Sequence, residues 1–307
     1  MQNFGRFNAA PYKKEFRMKQ HMKIAIQGGQ ASFHDMATRQ YFAGHPVELL
    51  ECMTFGRLCD ALANREVDAA VMAIENTLAG SILPNYSLLE RYNFHIIGET
   101  YLHIQQNLMA LPGQRIEDIE TVRSHPMALH QCSVFLEAHP HLRAIESFDT
   151  AESAREIRQN NLRGVAAIAS KMAANRYQLQ ILAGEIENLK KNYTRFLILL
   201  NKEYRNGTPP DKASISFRVS HEVGSLVSVL QVFREHGLNL SLIQSIPIPG
   251  QPNEYAFHID LLWQNEDDFH RGIAAAEPYA RGIKILGIYK SGVIPYDHTV
   301  RQPAFSG

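Results

Sequence analysis

The chain has 307 residues, enough for two domains or three small ones. Its 31 basic and 31 acidic side chains balance, and this zero net charge argues against a nucleic-acid-binding protein, which usually has a basic excess. Hydrophobic residues make up 45% of the sequence, so a disordered chain is excluded, and no apolar run is long enough to cross a membrane.

The first 21 residues differ from the rest. Residues 1–20 contain five basic side chains and one acidic side chain, a net charge of +4. They lack the apolar core of a secretory signal, and the first serine is Ser32, whereas a transit peptide is rich in serine. We interpret residues 1–21 as a disordered tail, or as an extension upstream of a start at Met22.

Residues 22–202 alternate between short apolar strands and amphipathic helices. The run from Ala69 to Ile74 is typical of a parallel strand that is buried on both faces. This alternation predicts doubly wound α/β sheets in two lobes, with a ligand cleft between the lobes. The predicted strands are 23–27, 47–50, 69–74, 121–124, 165–168 and 193–200, and the predicted helices begin near Phe33, Thr54, Pro126 and Thr150.

Cysteine and histidine patterns predict neither disulfides nor a metal site. The three cysteines, Cys52, Cys59 and Cys132, are an odd number and form no Cys-x-x-Cys pair. The 14 histidines form no cluster with metal-ligand spacing. We therefore expect a protein without bound metal in the reducing cytoplasm.

Three predicted strand-to-helix turns carry small or hydroxyl residues. They are Gly28-Gly29-Gln30-Ala31-Ser32-Phe33, Ile74-Glu75-Asn76-Thr77 running to Gly80-Ser81, and Ser124-His125-Pro126. Taken singly, each is explained by turn glycines and helix-capping serines. Helix N-termini also bind carboxylates, and ligands of open α/β sheets bind at the ends of adjacent strands. The three turns together therefore favour an anion site.

The last strand of this region begins with an unusual pair. Thr194 alone would reflect strand propensity. Arg195 beside it precedes a fully apolar run, and a charge at the mouth of a buried strand needs a partner, for which a substrate carboxylate is suited.

A second domain follows a linker. Residues 203–212 have the Gly, Pro and charged composition of a linker. Residues 213–291 then read as strand, helix, strand, strand, helix, strand, the ferredoxin-like order. Its first strand alternates through Ile215, Phe217 and Val219, which predicts a half-buried strand. Residues 292–307 look like an unstructured tail.

At these motifs the chain resembles the prephenate dehydratases with a C-terminal ACT domain. The resemblance runs from about Lys23 to Tyr289 and places its motifs in order at the expected spacing. They are Ile74-Glu75-Asn76 with Gly80-Ser81, Ser124-His125-Pro126 with Gln131-Cys132, and Thr194-Arg195-Phe196. The family converts prephenate to phenylpyruvate, with loss of carbon dioxide and water, in phenylalanine biosynthesis.

The resemblance implies a fold and a set of site residues. The catalytic part should have the two-lobed fold of type 2 periplasmic binding proteins, followed by a ferredoxin-like ACT domain. Thr194 should be central to catalysis, supported by Asn76 and Gln131, and aromatisation of the ring removes the need for a cofactor. Because only about 20 residues precede Lys23, a chorismate mutase domain does not fit and we expect a monofunctional enzyme. The expected substrate-binding residues are Ser32, Glu75, Ser81, Ser124, Arg195 and Phe196.

The first loop departs from the family pattern Gly-Pro-x-Gly-Thr-Phe-Ser. Gly29, Ala31, Ser32 and His34 replace its proline, second glycine, threonine and last serine. Ser32 keeps a hydroxyl, so we expect its anion-binding role to survive. His34 is either a ligand contact or a solvent-facing helix residue, and we favour the second.

The resemblance also implies feedback inhibition by L-phenylalanine in a homodimer or homotetramer. The glycine loop Gly224-Ser225-Leu226-Val227 matches the family's Gly-Ala-Leu-Val well, but the family's Glu-Ser-Arg-Pro motif appears as Gln244-Ser245-Ile246-Pro247. Losing the acid and the arginine would weaken effector binding or change its specificity, but we still expect the site, because backbone groups of the glycine loop contribute much of the contact. The expected effector-binding residues are Gly224, Ser225, Leu226, Val227, Asn239, Gln244 and Ser245.

Three alternatives stay open. The same chemistry on arogenate would give phenylalanine directly, and no residue decides between the two substrates. A non-enzymatic amino-acid sensor is disfavoured by the intact Thr194-Arg195-Phe196. A periplasmic solute-binding protein is disfavoured by the missing signal peptide and the ACT part.

Overall fold

The computed structural model describes residues 19–202, 208–248, 250–251 and 254–295. Most of the two predicted tails and residues 203–207 of the predicted linker lie outside the described residues. The predicted alternation of strands and helices is confirmed, followed by the predicted βαββαβ order. None of the described helices is long and apolar enough to cross a bilayer.

The elements before residue 105 are β1 (Met22–Gln27), α1 (Phe33–Tyr41), β2 (Val47–Cys52), α2 (Phe55–Ala63), β3 (Ala69–Asn76), β4 (Gly80–Ser81), α3 (Leu83–Tyr92) and β5 (His95–His103).

The remaining elements include short strands and helices between residues 107 and 183 that the sequence pattern did not predict. The next group is β6 (Asn107–Ala110), β7 (Thr121–Ser124), α4 (Pro126–Gln131), α5 (Ser133–Glu137), β8 (Arg143–Glu146), α6 (Thr150–Gln159), β9 (Val165–Ala169), α7 (Lys171–Tyr177), β10 (Gln180–Ala183) and β11 (Tyr193–Leu200). The last group is β12 (Lys212–Arg218), α8 (Ser225–Glu235), β13 (Asn239–Pro247), β14 (Tyr255–Leu262), α9 (Glu266–Ala276) and β15 (Arg281–Tyr289).

The described residues form three sheets. The first has the strand order β2-β1-β3-β11-β5 with β4 paired to β3, and β1 is parallel to both of its neighbours. The second has the order β10-β6-β9-β7-β8. The third is the order β13-β14-β12-β15, and its β12 pairs antiparallel with both β14 and β15.

Contacts divide the chain into two compact units. The first unit holds residues 20–82 and 100–196, and the second holds residues 83–99 and 197–292. Residues 83–99 thus group with the C-terminal part of the chain. The division into domains 22–202 and 213–291 stays a prediction.

Helices of the first unit begin at polar caps that the sequence supplies. Ser32 Oγ accepts from Asp35 N at 3.3 Å, and Thr54 Oγ1 accepts from Arg57 N at 3.1 Å. The second sheet is covered on both faces, because alternate residues of β9 belong to two separate apolar clusters. A sheet that is buried on both faces is what the continuous apolar strands predicted.

Strand β12 in the sheet of the second unit is buried on both faces, which corrects the prediction of a half-buried strand there. One face carries Ala213, Ile215 and Phe217 in an apolar core with residues of α8 and α9. The other face carries Lys212, Ser214 and Ser216, which are at most 5% exposed. These polar side chains stay buried because partners in residues 83–99 and in β14 satisfy them.

Candidate active site

Asn76, at the end of β3, holds the threonine of the Thr194-Arg195-Phe196 motif. Its Oδ1 accepts from Leu78 N at 3.0 Å and Ala79 N at 2.9 Å. Its Nδ2 donates to Thr194 Oγ1 at 2.9 Å. Both side chains are 8% exposed. The structure therefore joins two of the predicted catalytic residues by a direct hydrogen bond.

The direction of that bond determines what Thr194 can do. Two backbone N–H groups bond the Asn76 oxygen, so the amide presents its NH2 group to Thr194. Thr194 Oγ1 is then the acceptor. No described residue accepts the Thr194 hydroxyl proton, so that proton can be donated to a ligand.

Thr77 fixes the start of β11 beside Asn76. Thr77 N donates to Tyr193 O at 2.9 Å, and Tyr193 N donates to Thr77 Oγ1 at 2.9 Å. The Thr77 hydroxyl donates in turn to Lys191 O at 3.2 Å. These bonds hold the main chain next to Asn76 against the main chain next to Thr194, and so fix the position of the two residues relative to each other.

Gln131 reaches the same group of residues through Asn192. Asn192 Nδ2 donates to Gln131 Oε1 at 3.1 Å, and Asn76 Nδ2 donates to Asn192 Oδ1 at 2.7 Å. The structure thus brings together Asn76, Gln131 and Thr194, the three predicted catalytic residues. Asn192 was not among the predicted site residues. Its only sequence signal is that it is a polar residue just before a buried strand.

The first loop is buried, and its polar groups are used internally. Ser32 is 2% exposed and caps α1, while the carbonyl of Ala31 accepts from Ser170 Oγ at 2.9 Å. Gly28 has φ +86°, and a Cβ there would lie 2.6 Å from Asp149 Oδ2. A carboxylate this close to the loop disfavours a second anion there. The anion-binding role of Ser32 stays a prediction.

His34 is buried, which corrects our interpretation of it as a solvent-facing helix residue. It is 8% exposed, and its Nε2 accepts from Ala73 N at 3.3 Å. Its ring meets that of Phe196 edge-on at 5.0 Å and lies 5.5 Å from that of Phe55. Burial lowers the pKa of His34 to about 3, so the imidazole is neutral and can accept this hydrogen bond.

We expect acid to destabilise the protein partly through His34. Its pKa is 6.5 when unfolded and about 3 when folded, so the unfolded chain binds the extra proton between these values. Stability is then complete above pH 6.5 and falls as the pH decreases, by about 1.4 kcal/mol per pH unit. Between pH 7 and pH 5, wild type should lose about 2 kcal/mol more than His34→Gln in urea unfolding.

The control for this prediction is His45→Gln, because His45 is an exposed imidazole. Its loss of stability between pH 7 and pH 5 should match that of wild type. Parallel losses in wild type and His34→Gln would contradict the assignment.

Four other predicted substrate-binding residues lie in different surroundings. Ser124 is fully buried and donates to Ile168 O at 2.6 Å, while Glu75 and Ser81 pair across β3 and β4 at half-buried positions. Arg195 is 3% exposed, and strand alternation puts its side chain on the face of β11 opposite Thr194. Among the described residues, no group of three or more His, Cys, Asp or Glu side chains could hold a metal ion.

A cavity in the second unit contains part of the predicted effector site. It has a volume of about 390 Å³, within the range of small-molecule pockets. Gly224, which has φ +85°, starts α8 at its edge. Asn239, Gln244 and Ser245 lie on β13 and are not among its lining residues. The lining comprises residues 219–227 with Tyr255 and Phe257, and so includes the predicted Gly224, Ser225, Leu226 and Val227.

Known proteins match most of the chain. The family model described as prephenate dehydratase matches residues 24–204. A bifunctional chorismate mutase/prephenate dehydratase of Enterobacter agglomerans is 33% identical over 278 residues, which is 89% of this chain and 72% of that protein. Arogenate dehydratase/prephenate dehydratase 2 of Arabidopsis thaliana is 34% identical over 279 residues, covering 87% and 72%.

Solved structures also match most of the chain. Prephenate dehydratase from Arthrobacter aurescens, solved in complex with L-Phe, has a TM-score of 0.79 and 25% identity, covering 87% of this chain and 89% of that one. GqqA, described as a quorum quenching acylase, has a TM-score of 0.77 and 28% identity, covering 88% and 98%. The family match, the relatives and the hydrogen-bonded Asn76 and Thr194 agree, and the chain belongs to the prephenate dehydratase family.

Proposed function

We propose that this chain converts prephenate to phenylpyruvate and that Thr194, held by Asn76, is the catalytic residue. The observation that supports it is the direction of the Asn76–Thr194 hydrogen bond, which leaves the threonine proton without an acceptor among the described residues. The reaction needs a hydrogen-bond donor at the oxygen that departs from the ring.

The reaction can be written with every bond accounted for. The bond from the ring to its carboxylate breaks and releases carbon dioxide, and its electron pair enters the ring. The carbon–oxygen bond on the opposite side of the ring breaks, and the oxygen leaves as water after gaining one proton. The ring becomes aromatic with no net change in oxidation state, so we expect no cofactor.

Thr194 acts on the departing oxygen as a hydrogen-bond donor. A threonine hydroxyl is too weak an acid to give up its proton permanently, so it donates a hydrogen bond and relays a proton from water. The bond that Thr194 accepts from Asn76 polarises its hydroxyl and strengthens it as a donor. Gln131 supplies a second donor, while Ser32, Glu75, Ser81, Ser124, Arg195 and Phe196 support the site or the substrate.

We also propose that L-phenylalanine inhibits the enzyme from the cavity at Gly224. The matching structure from Arthrobacter aurescens holds L-Phe, and the cavity in this chain offers apolar walls beside the start of a helix. Such a start presents backbone N–H groups to a carboxylate. An effector that binds one state of the enzyme more tightly shifts the population toward that state.

The edge strand β13 supports a homodimer or homotetramer. It carries Asn239, Gln244 and Ser245 at one edge of its sheet, and unpaired strand edges favour pairing with another chain. We propose that a second copy brings these side chains to the effector.

The three cysteines are free, which supports a location in the cytoplasm.

One assay tests the enzyme, the effector and the alternatives together. Purified full-length chain should form phenylpyruvate from prephenate faster than it forms phenylalanine from arogenate, and L-phenylalanine should lower the rate. Faster turnover of arogenate would favour the alternative substrate. Binding of L-phenylalanine without turnover of either substrate would show a sensor and refute the enzymatic proposal. A rate that does not change with L-phenylalanine, with no heat of binding, would refute the proposed regulation.

A further inference from the structure

Asn192 occupies the middle of the hydrogen-bonded group at the site. Its side chain is fully buried, and its main-chain carbonyl accepts from Ile104 N at 2.8 Å. It bonds Asn76 on one side at 2.7 Å and Gln131 on the other at 3.1 Å. The two residues that it joins lie 55 positions apart in the sequence (131 − 76).

The orientation of each amide in this chain of bonds is determined by its neighbour. Two backbone N–H groups fix Asn76, so Asn76 offers its NH2 group to Asn192. Asn192 therefore turns its oxygen toward Asn76 and its own NH2 group toward Gln131. Gln131 must accept through Oε1, and its Nε2 then points away from Asn192.

We propose that Asn192 is a positioning residue that sets the direction of both Asn76 and Gln131. By accepting from Asn76 and donating to Gln131, it presents the Gln131 NH2 group to an anionic substrate. It also accepts from the Asn76 NH2 group, which bonds Thr194 Oγ1 at 2.9 Å and Tyr193 O at 3.3 Å as well. This role rests on the proposed function of Thr194 and Asn76.

Asn192→Asp removes the bond to Gln131 and keeps the bond from Asn76, while the shape of the side chain at position 192 stays nearly the same. The carboxylate can still accept from Asn76, but it cannot donate to Gln131. Gln131 then gains a bond by turning its NH2 group toward position 192, away from the substrate. We expect kcat/KM to fall about 10²-fold, the scale of one lost donor.

A double-mutant cycle with Gln131→Met provides a test that loss of stability alone would not reproduce. In wild type, Gln131→Met should lower kcat/KM about 10²-fold. In the Asn192→Asp background, where the Gln131 amide is already turned away, it should cost less than about threefold, because residues in one network are not additive. Fold-losses that multiply fully would overturn the proposal.

The controls separate folding from positioning. Asn107→Asp is matched, because Asn107 is also buried and uses its side-chain amide, but it bonds backbone groups at Ala169 O and Glu185 N. It should lower thermal stability and leave kcat within about twofold of wild type. If Asn192→Asp does not fold, Asn192→Ser replaces it in the same cycle, since serine is too short to reach both neighbours. Inactive wild type would refute the proposed function, whereas active wild type with multiplicative losses refutes only this inference.

Discussion

Replacing Thr194 with valine should lower kcat about 10²–10³-fold and leave the fold intact. Valine matches threonine in shape but has no hydroxyl, so the departing oxygen loses its donor. Asn76 keeps its other acceptors, Asn192 Oδ1 at 2.7 Å and Tyr193 O at 3.3 Å. The loss of one hydrogen bond at a site that is 8% exposed should cost only about 1 kcal/mol of stability.

The measurement is steady-state formation of phenylpyruvate, with circular dichroism to check the fold. Thr100→Val is the matched control, because Thr100 is also buried and its hydroxyl accepts from the Gln40 side chain at 2.7 Å. That variant should keep kcat near the wild-type value. Thr194→Ser should retain much of the activity, since serine keeps the hydroxyl. Near-normal turnover in Thr194→Val would remove Thr194 from the centre of catalysis.

The strands and their motifs could be predicted because they depend on local pattern. Continuous apolar runs gave β3 and β11 their correct positions, and both are buried almost throughout. The motif residues Asn76 and Thr194 could be placed at strand ends for the same reason. The contacts between one strand end and another join residues that are distant in the sequence. The bonds of Asn192 to Asn76 and Gln131 are of this kind, so the sequence pattern could not predict them.

His34 shows why the hydrophobic pattern alone could not predict which polar residues of α1 are buried. Polar residues of an amphipathic helix usually face solvent, yet the buried positions of α1 include His34, Asp35 and Thr38. Each finds a partner: His34 bonds Ala73 N, Asp35 bonds Ala31 N, and Thr38 bonds His34 O. Buried polar groups are stable when they are bonded, and such partners cannot be read from periodicity.

The polar face of β12 is also buried because its side chains bond partners that are distant in the sequence. Lys212 starts β12 and was predicted to lie in a linker, but it is 3% exposed. Its Nζ lies 3.0 Å from both oxygens of Glu99, a residue 113 positions earlier. Asp260 Oδ2 is the third member, at 3.3 Å. One lysine therefore neutralises part of the charge of two buried carboxylates.

Lys212→Met should destabilise the protein by about 3–5 kcal/mol, because it removes a cation that pairs with the buried Glu99 and Asp260. Both carboxylates keep some bonds, from Gly292 N at 2.9 Å and from Ser214 Oγ at 2.5 Å. Hydrogen bonds alone do not offset the cost of burying two like charges. Urea unfolding at neutral pH measures the loss.

Lys290→Met is the matched control, because Lys290 pairs with Asp211 at a site where about half of the lysine side chain is exposed. An exposed ion pair contributes about 0–1 kcal/mol, so this variant should unfold nearly as wild type does. Adding Glu99→Gln and Asp260→Asn to Lys212→Met should restore much of the lost stability, because the uncompensated charges are then gone. If Lys212→Met costs no more than Lys290→Met, the cluster does not stabilise the sheet through charge. A large loss that the neutral variants fail to restore would assign the effect to packing of the lysine stem, so the triple variant decides between the two causes.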